Sequence, residues 1–84
     1  MNDSEIRKEV LDIYNKLISG EISREEATDW AMVFINNDLF VDDRVSWANI
    51  MKIAASDATG LESEYLYDET DFEDWLEEYK AAIG

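Results

Sequence analysis

The sequence contains no histidine, no cysteine and no proline, and only three glycines among 84 residues. Without histidine, the usual general base and the commonest metal ligand are missing. Without cysteine there is neither a disulfide framework nor a thiolate nucleophile. Serines are present, but no base stands ready to form a triad with them. Three scattered glycines cannot build a phosphate-cradling loop. Paired carboxylates can do acid–base work, yet among 21 acids close pairs arise by chance. The expectation is a protein that is not an enzyme and needs no cofactor. A calcium loop is also missing: counted from Asp68, position three is Thr70 and position six is Glu73 rather than glycine, and counted from Asp38, position three is Phe40. No metal site is expected. No apolar run approaches the roughly 20 residues of a membrane span. The opening MNDSEIRKEV lacks a signal-peptide apolar stretch. A cytoplasmic protein that avoids membranes is expected.

Positive charge is scarce as well. Seven bases face 21 acids, for a net charge of −14. Such a charge repels nucleic acid and anionic lipid and favours a basic partner, or simply keeps the chain soluble. What the sequence does have is 46% apolar residues, including three Trp, four Tyr and three Phe. That is enough to fold. A chain this short makes one domain, residues 1–84, with a thin core that large aromatic side chains help to fill.

Apolar spacing predicts an all-α, compact four-helix bundle, with EYLYD open to a short strand-like or turn segment or a fifth short helix. The first helix runs from about Ser4 to Ser19 and gathers Ile6, Val10, Ile13, Tyr14 and Leu17 on one face, with Gly20 placed as a left-handed C-cap. Ser23 and Glu26 fit a capping box that opens the second helix. Its stripe is Ala27, Trp30, Ala31, Phe34 and Ile35, and it ends near Asn36-Asn37. The short GEIS link predicts that helices one and two pair as a hairpin. The third helix starts at Asp42 or Asp43 and turns Trp47, Ile50, Met51 and Ala54 inward. The fourth follows a polar loop and begins after Asp68 or Thr70, with Phe72, Trp75, Leu76, Tyr79 and Ile83 on its inner face. Helices one to three have a helix–turn–helix look, in which helix three would be the recognition helix. Its only bases are Arg44 and Lys52. On charge alone, direct nucleic-acid binding is not expected.

The acids are unevenly spread. From Asp57 to Gly84 there are ten acids and one base; from Met1 to Ser56 there are eleven acids and six bases. Acids at the start of helix four complement its dipole. That reason ends by the second turn, where Glu69/Glu73, Glu73/Glu77 and Asp74/Glu78 are like-charge pairs four apart. Together with Glu77 and Glu78 near the wrong end of the dipole, they cost the fold roughly 1–2 kcal/mol. Tyr65 and Tyr67 lie among these acids, and Tyr is an economical interface anchor. Each could equally seal the core edge. The candidate partner-binding set is Glu62, Glu64, Tyr65, Tyr67, Asp68, Glu69, Asp71, Asp74 and Glu78.

In plan, with ISREEATDWA, a Trp-bearing third segment and YLYDETDFEDWLEEY, the chain resembles small acidic helical immunity proteins of bacterial toxin–immunity systems, including colicin-type ones. Here Leu66 splits the two tyrosines that are adjacent in the colicin-type family, and the Pro that accompanies that pair is absent. The resemblance implies a one-to-one inhibitor of a basic nuclease toxin, a ribonuclease by preference, docked by electrostatic steering. Two other readings stand beside it: an acidic nucleic-acid mimic, and a small adaptor or regulatory helical module.

Overall fold

The computed structural model describes residues 3–36, 43–58 and 67–84. Within them the chain forms four helices and no strand: α1 (Asp3–Ser19), α2 (Arg24–Asn36), α3 (Arg44–Ala54) and α4 (Glu69–Ile83). The all-α, four-helix expectation is met. The EYLYD stretch lies mostly outside the described residues.

Each helix boundary has a local cause. Gly20 adopts φ +80°, and beyond it the Glu21 amide donates to the Lys16 carbonyl (2.9 Å) while the Gly20 amide donates to Leu17 (3.3 Å). These two bonds form a Schellman ending, which satisfies carbonyls that α1 would otherwise leave orphaned. The capping box of α2 is present: the Glu26 amide donates to the Ser23 hydroxyl (3.1 Å), and the Ser23 amide donates to the Glu26 carboxylate (3.3 Å). Of the two candidate caps for α4, Asp68 takes the role. It accepts from the Asp71 amide at 3.1 Å while its own amide donates to the Asp71 carboxylate at 2.9 Å. The box therefore closes through Asp71.

The core is built from Ile6, Val10, Tyr14 and Leu17 of α1, Ala27, Ala31 and Phe34 of α2, Ile50 and Ile53 of α3, and Phe72, Leu76 and Tyr79 of α4. Three of the four inner faces match their sequence stripes. The third does not. Met51 is 48% exposed and Trp47 only half-buried, whereas Ser46, Asn49, Ile50 and Ile53 face inward. The inner face of α3 is turned from the one its apolar residues suggested. Two polar side chains lie inside because partners await them: Tyr14 OH donates to Asn49 Oδ1 (2.6 Å), and Ser46 Oγ lies 2.6 Å from Tyr79 OH. A hydrogen-bonded polar group can be buried at little cost, and an unpaired one cannot.

A second correction concerns pairing. The α1–α2 hairpin expected from the short link is a minor contact. The closest packing is α2 on α3, and α1 lies mainly on α4 and α3. A short link fixes only where the next helix starts. What α1 packs against is set by its side chains: Tyr14 reaches Asn49 of α3 and stacks obliquely on Tyr79 of α4 (ring centroids 6.3 Å apart).

Candidate nucleic-acid interface

Asp43 stands at the N-cap position of α3 but makes no capping hydrogen bond with its side chain. Its carboxylate is buried and turned sideways, accepting from Arg7 Nε (2.7 Å) and from Ser46 Oγ (2.7 Å). The hydrogen bond from the Arg7 guanidinium holds the carboxyl below its ordinary range, against the desolvation that would raise it. Ser46 in turn meets the Tyr79 phenol. One chain of polar contacts, Arg7–Asp43–Ser46–Tyr79, thus ties α1, the start of α3 and α4 together. Asn49 anchors the middle of α3 to Tyr14 and returns a hydrogen bond to the Val45 carbonyl (2.8 Å). Burial pushes both phenols up, Tyr14 the more strongly. α3 is therefore anchored by its inner face.

Its outer face carries Arg44, Ala48 and Met51, all exposed and spaced four and three apart, with Lys52 on the flank beside α4. The charge distribution sets this helix apart. α1 contains four acids, α2 three and α4 six; α3 contains none, and bears Arg44 and Lys52. Most other cations are engaged. Arg7 is paired with Asp43, Lys16 with Asp12 (3.0 Å) and Lys80 with Glu77 (3.7 Å). Arg24 donates to the carbonyls of Ser56 and Tyr67 and lies over the Phe72 ring (4.9 Å). Lys52 lies 3.5 Å from Glu78 and 5.9 Å from the centre of the Trp75 ring. Among the described residues, Arg44 and Lys8 are exposed and form no ion pair.

The acidic candidates named from the sequence divide three ways. Glu62, Glu64 and Tyr65 lie outside the described residues. Asp68 and Asp71 cap α4, and Tyr67 packs edge-on against Trp75 (4.9 Å) while its carbonyl receives Arg24. Glu69, Asp74 and Glu78 point outward from α4. The structure thus gives three of the nine a role in the fold itself. What charge counting over the whole chain missed is the acid-free helix. The signal was present in RVSWANIMKIA, the inner eleven-residue stretch with two bases and no acid. Among the described residues no group of three or more acids is placed to hold a metal ion, and no helix is long and apolar enough to cross a membrane.

A small, strongly acidic four-helix domain with one acid-free helix on its surface defines the class. Its family follows from residues 2–79, which match the model of the YxzC DNA-binding protein family. The chain belongs to that family. A relative from Bacillus subtilis (strain 168), called uncharacterized protein YxzC, is 29% identical over 73 residues, covering 84% of this chain and 59% of that protein. The chain thus spans somewhat more than half the length of this curated relative. No solved structure matches it.

The family match overturns the toxin–immunity resemblance, and with it the immunity function, the nuclease partner and the exclusion of nucleic acid. The resemblance rested on size, acidity and helix number, none of which is specific to one family. The charge argument failed for a different reason. Net charge averages over the whole surface, whereas a groove in DNA meets one face.

Proposed function

We propose that this chain is a small helical regulatory module that acts at DNA, in the cytoplasm and without chemistry of its own, meeting the duplex through the outer face of α3. The observation that carries this reading is the distribution of charge: α3 is acid-free, bears Arg44 and Lys52, and is surrounded by helices with thirteen acids between them. Affinity for DNA comes largely from neutralised phosphates. A face with two cations neutralises few. The expected binding is therefore weak and only shallowly salt-dependent, with a slope of log K against log salt no steeper than about −2, at about −0.9 per phosphate. The rest of the surface repels the duplex and so limits it to one approach. Arg44, exposed in the first turn, is the side chain able to pair with a guanine edge in the major groove. Ala48 and Met51 offer only apolar contact, which suits a thymine methyl.

Fluorescence anisotropy of a labelled duplex at low ionic strength tests this directly. Saturable binding that Arg44→Ala and Lys52→Ala each weaken, and that salt weakens with a shallow slope, supports the reading. No binding at low salt, or binding that both variants leave unchanged, refutes it.

A further inference from the structure

We infer that Glu78 acts as an internal competitor for DNA, holding Lys52 against α4 where a phosphate would otherwise hold it. This rests on the reading of α3 as the DNA-facing helix, and names how that face is attenuated. Lys52 lies on the edge of α3 next to α4. Its ammonium is 3.5 Å from the Glu78 carboxylate and 5.9 Å from the centre of the Trp75 ring, so it is drawn away from the outward stripe of Arg44, Ala48 and Met51. One of the two cations of α3 is thereby paired within the molecule.

Glu78 is poorly placed for helix stability. It lies in the second half of α4, where the dipole disfavours an acid, and four residues from Asp74, a like charge. Its side chain is 70% exposed, and its carboxylate lies against Lys52. A carboxylate and a phosphate oxygen present the same chemistry to an ammonium group and repel each other, so they compete for it. The duplex must displace Glu78 to gain Lys52, and the displaced carboxylate then faces the incoming phosphates. Solvent screens the pair strongly, so the attenuation is graded rather than absolute.

The test compares two isosteric substitutions that remove the same charge from the same helix. Glu78→Gln frees Lys52. Glu77→Gln removes a neighbouring exposed acid whose partner is Lys80 of its own helix. Both are read by anisotropy with the same labelled duplex across a salt series, alone and in a Lys52→Ala background. Thermal melts confirm that each variant folds. The expected result is that Glu78→Gln tightens binding by about fivefold, the order set by two charges roughly 4 Å apart in water, and steepens the salt slope by up to about 0.9. Glu77→Gln should do less, and Lys52→Ala should abolish the difference between them. Equal effects of the two substitutions would mean that only general repulsion was relieved. That would overturn the competition while leaving the DNA reading intact. A difference that persists without Lys52 would overturn it too. Failure of the parent protein and of Glu78→Gln to bind any duplex at low salt would overturn both.

Discussion

The hydroxyl of Ser46 lies 2.6 Å from the phenol of Tyr79, inside the core, and the same hydroxyl donates to Asp43 at 2.7 Å. A serine at the third residue of α3 and a tyrosine near the end of α4 are thus one polar unit, although 33 residues separate them. Since Ser46 donates to Asp43, the Tyr79 phenol must donate to Ser46. The contact fixes the rotation of α3 about its own axis, and so decides which side chains reach solvent.

Removing either member should show the coupling. Ser46→Ala leaves the Tyr79 hydroxyl without its acceptor, and Tyr79→Phe removes the donor from a fully buried site. Each should cost about 1–3 kcal/mol. The double variant should cost less than the sum of the two, with an interaction of about 0.5–3 kcal/mol. Urea unfolding followed by tryptophan fluorescence measures all three. Additive losses would show that the two groups do not act together.

Arg7 should matter most at neutral pH. Asp43 is buried, and Arg7→Ala leaves its carboxylate with only Ser46 among the side chains, for a loss of about 1–3 kcal/mol. The guanidinium lowers the carboxyl below its ordinary value of 3.8. A depressed carboxyl stabilises the fold above its unfolded value, and that contribution fades as pH falls through the folded one. The gap between parent and Arg7→Ala should therefore be constant above about pH 5 and narrow below the ordinary aspartate range. Denaturant midpoints taken from pH 7 down to pH 3 would show it. A gap that stays constant throughout would mean that the pair contributes packing rather than charge.

The turned face of α3 predicts a contrast between two neighbours in sequence. Ile53 is fully buried, and Ile53→Ala should cost about 2–5 kcal/mol. Met51 is 48% exposed, and Met51→Ala should change stability by no more than about 0.5 kcal/mol. If α3 instead buried the stripe suggested by its apolar residues, Met51→Ala would be the costly one. Thermal melts of the two variants decide between these orientations.

Much of the fold was legible in the residues. Gly20 after a helical stripe, Ser23 followed three residues later by Glu26, and Asp68 before Phe72 act over a single turn, so local sequence suffices to place them. The inner faces of α1, α2 and α4 were legible for a related reason: where the buried residues are apolar, period alone locates them. The candidate DNA-facing helix was less so. Whole-chain charge points away from nucleic acid, and α3 has only two bases to set against it.

By itself, then, the sequence determined four amphipathic helices, most of their caps, the absence of His and Cys, and a strongly acidic surface. Those are properties of composition and of contacts within a few residues. Only the tertiary structure decided that Ser46 and Asn49 lie inside, that α1 leans on α3 and α4 more than on α2, and that Glu78 reaches Lys52. Each depends on a partner 26 or more residues away. A polar side chain in a helix reads as solvent-facing until its distant partner is known, because hydrogen bonding rather than polarity alone sets the cost of burying it.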